Sequence, residues 1–554
     1  MDWATIAIVV CLATSIPFRN CLDNGLAITP PMGYNTWNAF HEDIDETMVR
    51  ESAEILISSG LAAAGYTYFN LDDGWNQKTR GLEGPMEYNS TRFPSGIPAL
   101  ADWLHSKGLK LGVYSDAGSM TCAKFAASLG HEMEDAKVFA EWGVDFLKYD
   151  NCFATWPKKM SVRKRYEAMR DALNATGRPI LFSMCEWGVS SPWEYGHEVG
   201  HTWRTTKDIS MEIEATWADV VENLDETAGL ARFAGPGGWN DADMLEVGDP
   251  GGKALTYTEQ RSHFALWALI KSPLLIGADL RKLKREELLL LKSREIIAIN
   301  QDPLGVAGDR VWKQGPYEVW AAPLAGGARA VVLFNRHVAS DEKFDEHNMT
   351  LHWSMVGYPA DLEVMVRDLY KERDMGHYTG MLTELVEAHG VLALKLTPTK
   401  SVEGLDTWRP WQCDPLLDGD CSDKSVYIKP VPCPPQTPCK QADERPSAAA
   451  SAVAALGAAA PIGSLDKRSA IMVLAVGLCS GLVLGFLGAM LAMHFCLNRR
   501  SPSTPLASKL SAGPAGFSST YYSPVAATTR HPLVRHRGTP DAAQTSTADV
   551  MDRV

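Results

Sequence analysis

The chain has 554 residues, more than one hydrophobic core normally supports, and it therefore predicts two or three domains with appendages. Its 67 acidic residues exceed its 53 lysines and arginines, so the net charge is −14 and a basic surface for nucleic acid is excluded. No phosphate-binding glycine loop, dinucleotide fingerprint or paired Cys/His metal spacing is present. We therefore expect no nucleic-acid partner, no metal and no organic cofactor.

The first 25 residues have the pattern of a secretory signal. Trp3 to Pro17 is an apolar run about as long as a signal-peptide core and too short to span a bilayer, although Asp2 replaces the usual basic start. We predict a cleaved signal over residues 1–25. Three N-x-S/T sequons are consistent with a secretory route and are predicted glycosylation sites: Asn89, Asn174 and Asn348.

Between residues 26 and 305, short apolar segments alternate with amphipathic helical stretches, and most of the apolar segments end in an acidic or aromatic residue. This alternation predicts a (β/α)8 TIM barrel, in which function lies at the carboxyl ends of the strands. The eight candidate strands begin near Ile28, Tyr66, Leu109, Val144, Pro179, Thr202, Gly237 and Pro273.

The fourth candidate strand carries the most informative acidic residue. It runs from Val144 into Asp150, and Lys148 leaves the strand on the same face as Asp150 because the two are two residues apart. A neighbouring ammonium lowers the pKa of a carboxyl group and keeps it ionised. Asp150 is therefore predicted to be a nucleophile or a stabiliser of developing positive charge.

Paired carboxylates at the mouth of a barrel, with several of the 17 tryptophans at predicted strand ends, suggest glycoside hydrolysis. A retaining glycosidase needs a second carboxyl group that donates a proton to the leaving oxygen. Asp208 suits this role, with Arg204 one helical turn earlier to orient it or the substrate. Spacing alone does not separate Asp208 from Asp241 or Asp243, for which capping of an Asn-Asp-rich turn is the alternative. For the acidic pair 72–73 the alternative is a calcium site, although no further oxygen-ligand spacing accompanies it.

Beyond the barrel the pattern changes twice. Residues 306–400 alternate apolar and polar side chains between turns, which predicts an antiparallel β-sandwich. Residues 401–440 form a Cys/Pro-rich module in which the pairing of four cysteines is not fixed by the sequence: Cys413, Cys421, Cys433 and Cys439.

Residues 470–497 are uncharged and long enough to span a membrane, with basic pairs at 467–468 and 499–500. An Ala-rich stalk over 441–469 precedes them, and a polar, disordered cytoplasmic tail over 498–554 follows. Together with a cleaved signal, this predicts a single-pass type I membrane protein whose catalytic part is extracellular or lumenal.

Five ordered motifs resemble those of glycoside hydrolase family 27, the α-galactosidases and α-N-acetylgalactosaminidases. They are PMG at 31–33, LDD at 71–73, FLKYDNC at 146–152, CEWG at 185–188 and GPGGWNDADML at 235–245. The resemblance extends from about Ile28 to Pro398. It implies a TIM barrel followed by a β-sandwich, and a retaining exo-glycosidase that needs no cofactor.

Carried over to this sequence, the resemblance implies that Asp150 is the nucleophile and Asp208 the acid/base. It also implies a disulfide between Cys122 and Cys152, a pairing that their positions after the third and fourth strands allow in an oxidising compartment. For substrate binding it implies Trp37, Asp72, Asp73, Tyr114, Lys148, Glu186, Trp187, Arg204 and Asp243. Of these, Asp243 supports the site and does not take part in the chemistry.

Two departures from the family pattern affect the details. Many relatives carry one disulfide whose cysteines are replaced here by Glu42 and Gly74. The loop 186–193 is similar to the plant and fungal α-galactosidase form, which favours galactose, whereas the small Ser190 and Ser191 leave N-acetylgalactosamine open. A non-catalytic galactose-binding surface protein is the alternative from another class. The oligomeric state is not predicted.

Overall fold

The computed structural model describes residues 24–80, 84–154, 160–209, 216–248, 255–337 and 346–410. Most of the predicted signal and Cys/Pro-rich module, and all of the stalk, transmembrane segment and tail, lie outside these residues. Within the described ranges, no helix combines the length and the apolarity that crossing a bilayer requires.

Eight parallel strands form the first sheet, in the spatial order β7-β6-β5-β4-β3-β2-β1-β8. Leu245, which follows β7, forms a parallel bridge to Ile276 in β8. The predicted eight-stranded, TIM-like parallel sheet is confirmed, and every predicted strand is present. The strands are β1 (Met32–Asn35), β2 (Tyr68–Asn70), β3 (Lys110–Asp116), β4 (Phe146–Asp150), β5 (Leu181–Met184), β6 (Thr202–Arg204), β7 (Trp239–Asp241) and β8 (Leu274–Ile276).

Helices follow the strands, and side chains cap several of them. Asp45, Ser161 and Thr216 each accept a hydrogen bond from a backbone N–H in the first turn of the helix that follows. The helices of the described residues are α1 (Trp37–Phe40), α2 (Glu46–Ser58), α3 (Ile97–Ser106), α4 (Glu132–Glu141), α5 (Val162–Ala175), α6 (Gly196–Val199), α7 (Trp217–Thr227), α8 (Tyr257–Leu269), α9 (Arg285–Leu291) and α10 (Arg294–Asn300).

Helix α8 differs from the others because it is buried on nearly all sides. It contacts strands of the second domain on its outer face. Ser262 donates a hydrogen bond to the carbonyl of His389 (2.6 Å), and the Tyr370 hydroxyl donates to the carbonyl of Arg261 (2.5 Å). The first half of the helix is polar, with Glu259 and Gln260 buried, and the second half, Phe264 to Leu269, is apolar and fully buried between the two domains.

The second domain consists of two antiparallel sheets around one core, as predicted. The six-stranded sheet has the order β14-β13-β16-β11-β10-β9, and β12 pairs with β15 in the other sheet. Apolar residues of both sheets, among them Val331 and Leu351, share a core with Trp353. The strands are β9 (Asp309–Gln314), β10 (Tyr317–Pro323), β11 (Arg329–Asn335), β12 (Glu346–His352), β13 (Glu363–Asp368), β14 (Arg373–Thr379), β15 (Met381–Glu387) and β16 (Val391–Pro398).

The register of the parallel sheet determines which polar residues meet at its carboxyl edge. Asp116 of β3 is the register partner of Asp150 of β4. Arg204 of β6 is the register partner of Asp241 of β7. The acidic and basic strand ends predicted from the sequence therefore converge on one edge of the barrel.

Candidate active site

Asp150 is the last residue of β4, and its side chain is buried. The Tyr114 hydroxyl donates a hydrogen bond to Oδ2 of Asp150 at 2.9 Å. Oδ1 of Asp150, in contrast, has no hydrogen-bond partner among the described residues. The hydroxyl thus holds one carboxylate oxygen, whereas the other is a buried acceptor.

Lys148 has a different partner from the one the sequence predicted. Its Nζ forms an ion pair with Oδ2 of Asp72 at 2.8 Å. Burial raises the pKa of Asp150 to about 6; Lys148 lowers this pKa, but less than burial raises it, and the charge of Asp208 raises it further. Lys148 thus lowers the pKa of Asp150 as predicted, but burial outweighs it and leaves the pKa above the ordinary value.

Asp208 lies four residues after Arg204 and is 43% exposed. Nη1 of Arg204 is 2.9 Å from Oδ1 of Asp208 and 3.0 Å from Oδ1 of Asp243. Nη2 of the same guanidinium donates to the carbonyl of Lys207 at 2.7 Å. Arg204 is therefore fixed by several bonds and orients Asp208 through the ion pair.

Cys185 directly follows β5 and is a neighbour of both Arg204 and Asp150. Its buried thiol is 3.8 Å from Nη1 of Arg204, which binds Asp208. The same thiol lies beside Asp150, whose charged form it favours. Asp150 and Asp208 are therefore close enough for the charge of Asp208 to raise the pKa of Asp150, and a two-carboxylate mechanism requires such proximity.

The structure separates Asp208 from the two acids that spacing left as alternatives. Oδ1 of Asp241 accepts a hydrogen bond from the N–H of Asp243 (2.9 Å). Asp243 in turn accepts from the N–H of Ile209 (2.8 Å) and of Met244 (2.9 Å). Asp241 and Asp243 thus cap the turn after β7, and Asp243 also fastens the segment that carries Asp208.

Asp72 and Asp73 follow β2 and are both buried. Oδ2 of Asp72 accepts hydrogen bonds from Asn35 and Lys148, both at 2.8 Å, so a calcium ion there would be repelled by the ammonium. Oδ2 of Asp73 accepts from the N–H of Ala123 (2.8 Å), while its Oδ1 has no partner within the described residues. Burial raises the pKa of Asp73 to about 6.

The remaining predicted binding residues lie on two loops. Trp37 begins α1 just after β1, is half-buried and packs edge-on against His41. Trp187 is half-buried in the loop after β5, with a positive φ of 54° that indicates a constrained loop. Glu186 accepts hydrogen bonds from the N–H of Ser190 at 2.9 and 3.1 Å, so its carboxylate stabilises its own loop.

The predicted disulfide between Cys122 and Cys152 is confirmed. It joins the loop after β3 to the loop after β4, and Sγ of Cys122 is 3.2 Å from the Tyr114 hydroxyl. Asp116 and these two sulfurs are the one grouping of metal-ligand type among the described residues. Because the sulfurs form a disulfide, they offer no thiolate to a metal.

Sequence reasoning missed three residues of the site: Asn35, Asp116 and Cys185. Asp116 is fully buried and accepts hydrogen bonds from the N–H of Gly118 (2.6 Å) and of Cys152 (2.8 Å). Burial and the neighbouring Asp150 raise the pKa of Asp116 to about 9. The available signal was its position two residues after Tyr114 on β3, which places both side chains on the same face.

The two positions where relatives carry a disulfide are adjacent in space. A Cβ on Gly74 would lie 2.5 Å from the carbonyl oxygen of Glu42. The Arg92 guanidinium hydrogen-bonds the carbonyl oxygens of both Glu42 and Gly74. Arg92 thus connects the two segments that a disulfide joins in those relatives.

A TIM-like parallel sheet with two neighbouring carboxyl groups beyond its strand ends is the arrangement of glycoside hydrolases of the two-carboxylate class. Residues 29–302 match the family model described as alpha galactosidase A, and residues 314–396 match the alpha galactosidase C-terminal beta sandwich domain. The chain belongs to this melibiase-type α-galactosidase family, glycoside hydrolase family 27.

Individual relatives agree with this assignment over most of their length. Alpha-galactosidase 3 of Arabidopsis thaliana is 48% identical over 389 residues, which are 70% of this chain and 85% of that protein. Alpha-galactosidase of Cyamopsis tetragonoloba is 48% identical over 381 residues, 69% of this chain and 89% of that protein. The crystal structure of alpha-galactosidase I from Mortierella vinacea superposes with a TM-score of 0.62 at 35% identity, covering 68% of this chain and all of that one.

Proposed function

We propose that this protein is a retaining exo-α-galactosidase in which Asp150 is the nucleophile and Asp208 the acid/base. The observation that carries the proposal is the asymmetry of the Asp150 carboxylate. Tyr114 holds Oδ2, whereas Oδ1 has no hydrogen-bond partner among the described residues and shares its surroundings with Asp208. Oδ1 is therefore the attacking atom.

The reaction proceeds in two displacements. In the first, Asp208 gives its proton to the glycosidic oxygen while Oδ1 of Asp150 bonds to C1 of galactose, so that the alcohol leaves and a β-linked galactosyl ester forms. In the second, Asp208 removes a proton from water, which attacks C1 and releases α-galactose and free Asp150. The first displacement therefore requires the protonated form of Asp208 in the substrate complex.

The charges around the site suit the positively charged transition state of glycoside hydrolysis. Six acids, at positions 72, 73, 116, 150, 241 and 243, are buried at this edge of the barrel. Asp116 is protonated at neutral pH because its pKa is about 9, and the other five outnumber the two cations beside them, partly buried Lys148 and buried Arg204. An excess of carboxyl groups at fixed positions stabilises an oxocarbenium ion without reorganisation during the reaction.

For the sugar itself, we assign Asp72 and Asp73 as acceptors for the 4- and 6-hydroxyls, with Trp37 against the apolar face of the ring. Oδ1 of Asp73 supports this assignment because it is a buried acceptor with no hydrogen-bond partner in the described part of the chain. Galactose is favoured because the relatives that are 42–48% identical are named α-galactosidases. A yeast α-galactosidase at 30% identity was solved with raffinose, an α-galactoside.

Turnover of nitrophenyl α-galactoside, with the α-N-acetylgalactosaminide as comparison, tests the activity and the sugar together. We expect hydrolysis of the galactoside and little of the analogue. Binding of galactose without turnover would instead indicate a galactose-binding protein.

Azide should restore activity to Asp150→Gly and yield β-galactosyl azide, because azide then enters from the nucleophile's side. The α-azide would reverse the two roles.

We also propose that the enzyme is made in the secretory pathway and tethered through residues 470–497. This rests on the uncharged length of that segment and its flanking basic pairs, together with the apolar run from Trp3 to Pro17. Full-length protein should resist extraction from membranes by alkaline carbonate, whereas a chain ending at residue 469 should be secreted. Release of the full-length chain by carbonate would contradict the tether.

A further inference from the structure

The two-stranded sheet β12–β15 has one face in the core of the second domain and one in solvent. Side chains alternate along a strand, so Leu382 and Val386 enter the core while Met381 and Leu385 point outward. Met381 is 54% and Leu385 51% exposed. The outward face therefore presents two large apolar side chains on a single strand.

The sequon Asn348-Met349-Thr350 lies on the same outward face. In the antiparallel register, Asn348 is directly opposite Leu385, and Thr350 is opposite Thr383. The hydroxyls of Thr350 and Thr383 are 2.8 Å apart. Directly opposed residues have Cβ atoms about 4.5–5.5 Å apart, so the Asn348 amide lies next to the Leu385 side chain.

The other two sequons have different surroundings. Asn89 is half-buried, and its Oδ1 accepts hydrogen bonds from the N–H groups of Thr91 and Arg92 in a turn. Asn174 is exposed in the last turn of α5, but none of the exposed large apolar side chains of the described residues lies in that turn. Only at Asn348, among these three, would a glycan extend over an apolar surface.

We propose that Asn348 is N-glycosylated and that the glycan lies across the outward face of β12–β15, over Leu385 and Met381. In the modification, Nδ2 of Asn348 bonds to C1 of an oligosaccharide carried on a lipid pyrophosphate. The bond from C1 to the pyrophosphate breaks, the lipid pyrophosphate leaves, and the amide loses one proton. The proposal depends on passage through the secretory pathway and is independent of the catalytic assignment.

Two physical effects favour this arrangement. The C–H faces of sugar rings remove apolar side chains from water, and Leu385 is adjacent to the point of attachment. Strand β12 pairs with β15 and with no other strand of the described residues, and an unpaired strand edge favours pairing with another chain. A bulky glycan on β12 obstructs such pairing.

Site occupancy is the first test. The full chain is expressed in a eukaryotic secretory host, and peptides are analysed by mass spectrometry after deglycosylation in heavy-oxygen water. We expect the peptide containing Asn348 to carry the label. An unlabelled Asn348 peptide from active enzyme that has passed through the secretory pathway would overturn the proposal.

Oxidation of methionine by hydrogen peroxide tests whether the glycan covers the face. Met381 lies about 14 Å along β15 from Leu385, within reach of a branched oligosaccharide. We expect Met381 to oxidise at least threefold more slowly in the glycosylated protein than in Asn348→Gln. Met133, which is 57% exposed on α4, is the matched control and should oxidise equally in both.

Equal oxidation of Met381 in both proteins would overturn the covering role even if the sugar is attached. Trimming the glycan of folded wild-type enzyme to its first sugar provides the same comparison without a substitution, should Asn348→Gln fold poorly. Galactosidase activity is measured before and after trimming. Unchanged activity would show that the result of the oxidation test does not reflect a failure of the proposed function.

Discussion

Replacing Tyr114 with phenylalanine removes the hydroxyl that donates to Oδ2 of Asp150 at 2.9 Å and leaves the ring in place. A hydrogen bond to a charged group contributes about 1.5–3 kcal/mol, and 1.36 kcal/mol corresponds to one pKa unit. The pKa of Asp150, about 6 in the native protein, should therefore rise by about 1 to 2 in Tyr114→Phe. At pH 6 the ionised fraction then falls by about 5- to 50-fold.

The assay is the pH dependence of kcat/KM with dinitrophenyl α-galactoside, whose leaving group needs no proton. Its rate depends on ionised Asp150 and not on the protonation of Asp208, so its acidic limb reports the nucleophile in the free enzyme. We expect this limb to move to higher pH in the variant, with most of the activity recovered at alkaline pH.

Tyr166→Phe is the matched control. Tyr166 is also fully buried near the site, but its hydroxyl donates to the backbone carbonyl of Cys185 at 2.9 Å and not to Asp150. Its acidic limb should stay close to that of the native enzyme. If Tyr114→Phe leaves the limb unchanged, or both variants shift it equally, the assignment of Asp150 as the titrating nucleophile is refuted.

Three further predictions concern the acid, the buried carboxyls and the disulfide. Asp208→Asn should lower kcat/KM for alkyl galactosides about 10²–10⁴-fold while dinitrophenyl galactoside retains most of its rate, and equal losses would exclude the acid role. Burial raises the pKa of Asp116 to about 9 and of Glu246 to about 8, so these two groups bind more protons in the native than in the unfolded state between about pH 4 and 9. Their contribution to stability should therefore fall as the pH rises through this range. In Glu246→Gln this loss should be smaller, as measured by thermal melts across the range, and an unchanged pH dependence would contradict the burial effect. Removing the disulfide from Cys122 and Cys152, which are 30 residues apart, should cost about 3–4 kcal/mol in urea unfolding, whereas no loss would show that the loops are held without it.

The strand ends were predictable because periodicity and strand direction are local properties. Asp150 ends β4, Asp72 follows β2, and parallel strands bring both positions to one edge of the sheet. The glycosidase chemistry thus followed from the placement of acids along the chain, and the family motifs added the individual roles.

Partners across the barrel were not predictable in the same way. Lys148 of β4 pairs with Asp72 after β2, two strands away, because the curved sheet brings alternate strand ends together. Sequence neighbours favoured Asp150 as the partner of Lys148. The raised pKa of Asp150 likewise depends on burial by the whole barrel, which a short motif does not contain.

The turn after β7 illustrates the same limit. Asp241 and Asp243 have the spacing and residue type of catalytic acids, and only their hydrogen bonds to backbone N–H groups identify them as turn caps. For Asp116, the sequence indicated its position at the end of a strand but not the hydrogen bond that its carboxylate accepts from the Cys152 N–H.

The covalent intermediate offers the most direct test of the account. A slowly turned-over fluorinated galactosyl donor should leave one sugar on the enzyme, and proteolysis with mass spectrometry then locates it. We expect the sugar on the carboxyl group of Asp150, within the segment 146–152. A sugar attached to Asp208, or to any other side chain, would contradict the mechanism.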